Sequence, residues 1–331
     1  MKLFKKERTS NGISFYFCGI KIFSYHKNKL KIYMPHYNKN VLPSSIEPEI
    51  YNKDGKKMRT FFLRDSHMAI DPTGASKYFV WDKFNIGLNV HFYSHNSMLE
   101  TIGNPQYKFG FLIETEGIVP SDYKIFIKNK NLAKQFKYIF TNSKFILDTV
   151  ENAKFAPMNA SLYNGSFCKE DNYKYKNKNV SILSSDKLMC KLHKFRYDLA
   201  NLCKKENLCD TFGTFDGGKF VSIDTTLRNY RYSICIENIQ TPYLFTERLI
   251  CAFANQTIPI YLGATEIEKF FNIDGIICIT QKSNIKEILK RCTNEEYQKR
   301  LPAIIDNYFR VKKYINTWDY IYETYLQNLI N

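Results

Sequence analysis

The residues best suited to chemistry lie in one stretch, Tyr232 to Gly263, which reads YSICIENIQTPYLFTERLICAFANQTIPIYLG. An almost continuously apolar segment there ends in Glu237 and Asn238, and a Thr-Glu-Arg sequence at 246–248 then begins an apolar helix. Carboxylate, amide and guanidinium groups at the junction of a strand and a helix are typical of ligand-binding βαβ units. The stretch therefore predicts a site for a polar, anionic ligand.

Arg248 is the most informative residue of that helix start. The first helical turn carries free backbone N–H groups and the positive end of the helix dipole, so a purely structural helix favours an acid there. A guanidinium in this position indicates an anion bound by both the amides and the arginine. Glu247 suits a pair of sugar hydroxyls, because a carboxylate accepts two hydrogen bonds side by side. The alternative, in which Thr246 and Glu247 cap the helix and Arg248 is solvated, explains the same residues equally well.

A second pair of carboxylates follows a buried strand upstream. The apolar run KFGFLI at 108–113 ends directly in Glu114-Thr115-Glu116-Gly117. In open α/β sheets, ligands bind beyond the carboxyl ends of the strands, which makes Glu114 and Glu116 candidates for base catalysis. Spacing alone favours the simpler interpretation, a solvated acidic turn.

Short strands and helices alternate over most of the chain, which predicts an α/β fold. We interpret residues 1–57 as a basic N-terminal hairpin and linker, 58–170 as one α/β domain, and 180–331 as a second with terminal helices. The polar run at 168–179 lacks apolar periodicity and marks the boundary. The predicted strands include 108–113, 138–142, 180–183, 232–236, 257–261 and 275–280; the predicted helices include 189–208, 266–271 and 283–291; turns are predicted at 71–74 and over the glycine-rich stretch 209–220.

Composition narrows the class of protein. The 331 residues are 44% hydrophobic and 16% aromatic, enough for two folded domains. No apolar run is long enough to span a membrane and no signal-peptide core follows the N-terminus, so a cytoplasmic protein is expected. Nine cysteines without a CxxC pair indicate reduced, buried thiols. His91 and His95 lie four apart but lack the partners of a metal site.

The net charge of +16 suggests three kinds of partner: nucleic acid, an anionic membrane surface or anionic small ligands. A solvated, lysine-rich surface accounts for much of the excess, and no nucleic-acid-binding motif accompanies it. Nucleic acid is therefore not expected as a partner. The basic N-terminus and the aromatic and basic C-terminal helices predict peripheral contact with the inner face of a membrane.

The ordered residues of the central stretch resemble the donor-binding segment of the α-1,3-fucosyltransferases of glycosyltransferase family 10. In that family a strand ends in Glu-Asn, the Glu of a Thr-Glu-Lys follows nine residues later, and an apolar helix leads into an Ile-Pro-Ile-Tyr-Trp-Gly strand. The segments YSICIEN, TER and AFANQTIPIYLGA keep this order and spacing. Arg248 replaces the family's Lys, and Leu244 and Leu262 replace its Tyr and Trp, which bears on donor recognition. The resemblance is strongest over 180–280, weaker over 105–165 and absent over 1–60.

The resemblance implies a GT-B fold, in which two Rossmann-like domains face each other across a cleft. It implies an inverting transfer of fucose from GDP-fucose to a glycan acceptor, with no metal or other cofactor required. Our hypothesis is that this acceptor belongs to lipopolysaccharide or capsule. Two alternatives remain open: a transferase of the same fold with another nucleotide sugar, and a non-catalytic nucleotide- or anion-binding module.

The resemblance also assigns roles to residues. Arg196, 42 residues before Asn238, corresponds to the family's diphosphate-binding Arg. Glu116, four residues before Pro120, corresponds to its acceptor-activating base, with Glu114 in reserve. Glu247 is expected to be the second catalytic carboxylate and to contact the fucose ring or the ribose. The implied donor-binding set is Arg196, Glu237, Asn238, Thr246, Glu247, Arg248, Tyr261 and Gly263.

Overall fold

The chain forms two compact units in the computed structural model, which describes residues 4–9, 12–17, 20–26, 29–32, 46–52, 54–65, 76–112, 114–129, 131–157 and 165–330. Unit 1 comprises Met1–Ile113, Pro120–Thr141 and Ile146–Phe155. Unit 2 comprises Glu114–Val119, Asn142–Phe145 and Ala156–Asn331. The turn predicted at 71–74 lies outside the described residues.

Unit 1 begins with a four-stranded antiparallel sheet whose strands follow one another in chain order. The predicted hairpin is therefore larger than expected, because short alternating segments do not reveal how many strands pair. The strands are β1 (Phe4–Thr9), β2 (Gly12–Phe17), β3 (Ile20–His26) and β4 (Lys29–Ile32).

The main sheet of unit 1 has the order β11-β10-β9-β8-β6-β5, with β7 also paired to β6. All its pairings are parallel except that of β5 with β6. Its aromatic core includes Phe61, Phe92 and Phe109, all fully buried. The strands are β5 (Ile50–Tyr51), β6 (Lys57–Arg64), β7 (Phe79–Asp82), β8 (Val90–Ser94), β9 (Tyr107–Leu112), β10 (Tyr138–Thr141) and β11 (Ala153–Phe155); the helices of this part of the chain are α1 (Pro120–Tyr123), α2 (Ile125–Lys128) and α3 (Lys144–Thr149).

Unit 2 is built on a five-stranded parallel sheet with the order β13-β12-β14-β15-β16. In chain order this is 2-1-3-4-5, so the direction of winding reverses between β12 and β14. Ligands of open α/β sheets bind at such a switch point, outside the carboxyl ends of the two strands. The strands are β12 (Lys178–Leu183), β13 (Asp210–Phe212), β14 (Tyr230–Ile236), β15 (Ile258–Leu262) and β16 (Ile277–Cys278).

The helices of unit 2 agree with most of the sequence-based predictions, and the exceptions are short elements. The stretch 209–220, predicted as a turn, contains β13, and the helix predicted at 266–271 is only a 3-10 turn at Ile267–Lys269. No helix within the described residues is both long and apolar enough to cross a bilayer. The helices are α4 (Lys191–Lys205), α5 (Glu247–Ala254), α6 (Ile285–Arg291), α7 (Asn294–Arg310), α8 (Thr317–Ile321) and α9 (Gln327–Ile330), with a π-helical turn at Tyr322–Leu326.

The helix α5 and the strands β14 and β15 form the centre of the core of unit 2. Every residue of α5 from Leu249 to Ala254 is buried, as is every residue of β15. Elements that are enclosed by protein on all sides are apolar, and the sequence AFANQTIPIYL accordingly carries no charged residue.

A buried lysine ties the loops beneath this core. The Lys176 ammonium donates hydrogen bonds to the Leu227 carbonyl at 2.9 Å, the Asn255 carbonyl at 2.6 Å and Thr257 Oγ1 at 2.8 Å. Its three N–H groups are thereby matched by three acceptors. Burial lowers the pKa of Lys176 to about 7, so the hydrogen bonds must offset a substantial desolvation cost.

We expect Lys176→Met to lower the free energy of unfolding by about 2–4 kcal/mol, because three buried acceptors lose their donor. Lys178→Met is the matched control, since Lys178 is exposed and its ion pair with Asp210 should contribute less than about 1 kcal/mol. Urea unfolding of both variants measures the difference. Equal losses would show that the buried lysine has no special role.

Candidate functional site

A cleft of about 490 Å³ opens in unit 2 and is lined by residues from the ends of β12 and β14, from α4, from the start of α5 and from the loop after β13. This is the switch point of the sheet. Six of the residues that the sequence analysis assigns to donor binding line it: Arg196, Glu237, Asn238, Thr246, Glu247 and Arg248.

Glu237 is the buried anchor of the cleft. Only 1% of its surface is exposed. Its carboxylate accepts hydrogen bonds from the Thr246 backbone N–H at 3.0 Å and the Thr246 hydroxyl at 2.7 Å. Thr246 is the N-cap of α5 and in turn accepts the Arg248 N–H at 3.3 Å. The carboxylate therefore fixes the helix start to the end of β14, while burial raises the pKa of Glu237 to about 7.

Arg196 and Arg248 bring two guanidinium groups to the switch point. Arg196, on α4, is 2% exposed and donates to the carbonyl of Ile236 at 2.7 Å, the last residue of β14. Arg248 donates to the carbonyl of Leu183 at 3.1 Å, the last residue of β12. Burial and the charge of Arg248 lower the pKa of Arg196 to about 9, so the Arg196 guanidinium remains cationic at neutral pH. Thr246 caps the helix, as the alternative interpretation has it, but Arg248 is partly buried rather than freely solvated.

The acidic segment at 114–119 packs against the loop that follows β14. The Asn238 amide donates to Thr115 Oγ1 at 3.1 Å. A Cβ atom on Gly117 would lie 2.1 Å from Ile239 Cγ2, so only glycine allows this approach. Glu114 consequently lines the cleft, with one carboxylate oxygen accepting the Thr115 N–H at 2.7 Å. Glu116 lies in the same turn, partly exposed, and does not line the cleft.

Tyr261 and Gly263 support the site from beneath rather than lining it. The Tyr261 hydroxyl donates to the Leu244 carbonyl at 3.2 Å, accepts the Ala264 N–H at 3.0 Å and lies 3.4 Å from Glu237 Oε1. A Cβ atom on Gly263 would lie 2.2 Å from the Tyr261 hydroxyl oxygen, so the backbone must pass there without a side chain.

Sequence reasoning missed several residues of the cleft, among them His193. This histidine lies on α4 three residues before Arg196, a spacing that places both on one face of the helix. Burial, together with the charges of Arg196, Arg248 and Lys187, lowers the pKa of His193 to about 4, so the imidazole is neutral at pH 7. The helical spacing was the only signal in the sequence.

Three buried polar atoms of the cleft residues have no hydrogen-bond partner within the described part of the chain: His193 Nδ1, Arg196 Nε and Asn238 Oδ1. Buried polar atoms are nearly always paired in folded proteins, and unpaired ones point to a missing ligand or water. Two cations and these unpaired groups suit a ligand that carries negative charge and several hydrogen-bonding atoms.

The raised pKa of Glu237 predicts a specific dependence of stability on pH. Between pH 4.5 and 7 the unfolded chain releases the Glu237 proton while the folded chain retains it, so stability falls as pH rises through this window. Gln cannot titrate. The unfolding free energy of the parent should therefore fall relative to that of Glu237→Gln over this range and stay parallel to it above pH 7.

Urea unfolding at pH 4.5, 5.5, 6.5 and 7.5 measures this difference, with Glu268→Gln as the control for an exposed carboxylate of the same unit. A parent-to-variant difference that is constant from pH 4.5 to 7.5 would contradict the assignment of a raised pKa to Glu237.

No family model matches the chain. The α-(1,3)-fucosyltransferase FucT of Helicobacter pylori is 33% identical over 63 residues, which cover 19% of this chain and 13% of that relative. The chain therefore matches only a small part of this curated relative.

Among solved structures, Anabaena HepE in complex with UDP aligns with a TM-score of 0.52 and 12% identity over 74% of this chain and 80% of that one. HepE with UDP-glucose aligns with a TM-score of 0.51 and 11% identity over 82% and 99%. An α1,3-fucosyltransferase with GDP aligns with a TM-score of 0.49 and 16% identity over 78% and 84%. The predicted fold class is confirmed: the chain has the α/β fold of GT-B glycosyltransferases, and its sequence resembles that of the α-1,3-fucosyltransferases.

Proposed function

We propose that the chain is an inverting glycosyltransferase that moves fucose from GDP-fucose to a glycan acceptor. One observation carries the proposal. Two arginines, each held by the last carbonyl of a switch-point strand, flank a cleft that also contains unpaired buried polar atoms. The sequence similarity to a fucosyltransferase and the GT-B fold support the reaction class.

The diphosphate of the donor is proposed to lie between Arg196 and Arg248. Arg248 is the second residue of α5, at the positive end of the helix dipole. When the bond from the sugar to the diphosphate breaks, negative charge accumulates on the leaving group, and preorganised cations stabilise that charge. No cofactor is part of the proposal, because the two guanidinium groups supply the positive charge that this step requires.

The sugar-facing polar groups are Glu247 and Asn238. Glu247 lines the cleft at the first position of α5 and offers two acceptor oxygens to neighbouring hydroxyls of the ribose or the fucose. Asn238 offers its unpaired Oδ1 from the opposite junction, at the end of β14. These groups orient the donor so that the acceptor hydroxyl attacks the face opposite the diphosphate.

The acceptor hydroxyl must lose a proton as it attacks, which requires a general base. The family resemblance assigns this role to Glu116, while the cleft lining favours Glu114. We take Glu116 as the proposed base and Glu114 as its competitor. The two are separated by one residue in a turn that is held against Asn238.

The acceptor is proposed to be a glycan of lipopolysaccharide or capsule, and the enzyme to act in the cytoplasm at the inner face of the membrane. Phe309 is exposed at the end of α7, and the nearby Lys312 and Lys313 would face anionic headgroups. Co-sedimentation with anionic vesicles tests this location. Absence of binding at low salt would refute it.

A second candidate is a transferase with the same fold that uses a UDP sugar. The HepE structures contain UDP or UDP-glucose, and Leu244 stands where the fucosyltransferases have a tyrosine. A third, non-catalytic candidate would bind the nucleotide without turnover. A thermal-shift screen of GDP, UDP and CMP sugars, followed by a hydrolysis and transfer assay, separates the three.

We expect Arg248→Gln to weaken GDP binding by about 10- to 100-fold, because the diphosphate loses a charge-assisted hydrogen bond. Isothermal titration calorimetry measures the affinity. Arg291→Gln is the matched control, since Arg291 is an exposed arginine at the end of α6. Equal affinities of the parent and Arg248→Gln would contradict the proposed position of the diphosphate.

We expect Glu116→Gln to lower the rate of transfer by about 10²- to 10⁴-fold without weakening donor binding, because only deprotonation of the acceptor is impaired. Glu114→Gln, measured in parallel, should retain most of the activity. The opposite pattern would assign the base to Glu114. Full activity in both single variants would remove the base from this segment.

A further inference from the structure

Two loops meet at the mouth of the cleft. One, residues 184–190, joins β12 to α4, and the other, residues 213–222, follows β13. The Thr214 hydroxyl donates to Asp186 Oδ1 at 3.0 Å. Gly213 has a φ of +106°, and a Cβ atom there would lie 2.0 Å from the Ser184 carbonyl oxygen. The loops therefore touch through backbone, and their tips are held side by side.

Each loop presents a large apolar side chain to the cleft. Met189 is 64% exposed and Phe220 is 70% exposed, and both line the cleft. The buried polar and charged side chains that line the cleft include Arg196, Glu237 and Thr246, so the exposed apolar pair is available to a different part of the ligand. An aromatic ring and a polarisable thioether suit a flat, aromatic ligand group.

The carboxylate of Asp186 lies on the same loop as Met189. Asp186 is exposed and lines the cleft. Its Oδ1 accepts from Thr214, and no hydrogen bond to its Oδ2 is formed within the described part of the chain. A carboxylate accepts two parallel hydrogen bonds from adjacent donors. Guanine presents such a pair, N1–H and the exocyclic amine, whereas uracil presents a single N–H between two carbonyl oxygens that a carboxylate would repel.

We propose that Asp186, Met189 and Phe220 form the nucleobase subsite of the cleft, and that Asp186 selects guanine. The inference rests on the proposed function, since it requires a nucleoside diphosphate with its phosphates at Arg196 and Arg248. The base then stacks on Phe220 and Met189 at the mouth, and its donor edge faces the carboxylate.

Calorimetric titration of the full chain with GDP, IDP, UDP and pyrophosphate tests selection by Asp186. IDP has the hypoxanthine base, which keeps N1–H but lacks the amine. The parent should bind GDP about tenfold more tightly than IDP, and UDP more weakly still. Asp186→Asn should remove the preference for GDP over IDP without weakening pyrophosphate binding, because Asn still accepts the Thr214 hydrogen bond. Asp198→Asn, on the exposed face of α4, is the charge-matched control and should keep the preference.

Phe220→Ala tests the stacking contact separately. The substitution should weaken the binding of GDP, IDP and UDP by about tenfold, since stacking on an aromatic ring is lost whatever the base. Pyrophosphate binding should be unchanged. Phe309→Ala, which removes an exposed phenylalanine of α7, is the matched control and should change none of the affinities.

The outcomes separate this inference from the function on which it rests. If the parent binds GDP but Asp186→Asn keeps the full preference for GDP over IDP, selection by Asp186 is refuted and the transferase stands. If pyrophosphate binds as tightly as GDP, the base has no subsite at all. If a folded parent binds neither nucleotides nor pyrophosphate, both proposals are overturned.

Discussion

The arrangement of unit 2 depends on one buried interaction, the pair of hydrogen bonds that Glu237 accepts from Thr246. A carboxylate at 1% exposure is costly to bury, and the helix dipole together with two donors offsets only part of that cost, since the pKa of Glu237 still rises to about 7. The two hydrogen bonds fix the end of β14 relative to the start of α5. Glu247 and Arg248 come directly after the N-cap residue Thr246, so the same hydrogen bonds also position these two residues. The Tyr261 hydroxyl contacts the same carboxyl group, 3.4 Å from Glu237 Oε1.

A second constraint is that two guanidinium groups are held close together in the cleft, beside the carboxyl groups of Glu237 and Glu247. Arg196 and Arg248 are held by strand carbonyls. Burial lowers the pKa of both Arg196 and His193, and the charge of Arg248 lowers both pKa values further. Like charges held together raise the free energy of the empty site, and an anion relieves this repulsion. The same preorganisation would stabilise a departing diphosphate, which gains charge as the sugar leaves.

The sequence predicts the parts of this site that local pattern controls. Apolar runs and a threonine N-cap locate β14, α5 and β15 to within a residue or two. The three-residue strand β13 was not predicted, because the glycine-rich sequence around it resembles a turn. Spacing could not decide which of Glu114 and Glu116 faces the cleft, because side-chain directions in a turn follow no period. Asp186 and Phe220 could not be paired at all, since only the strand order brings their loops together.

The departures from the fucosyltransferase pattern become interpretable once burial is known. Leu244 is fully buried, and its carbonyl accepts from Tyr261, so the position where the family has a tyrosine belongs here to the core that supports Glu237. A contact with the nucleobase cannot come from this side chain. The exposed apolar and acidic side chains of the cleft instead lie on the two loops that meet at Gly213. Such a division would let the phosphate-binding end stay fixed by the sheet while loop residues set the choice of base.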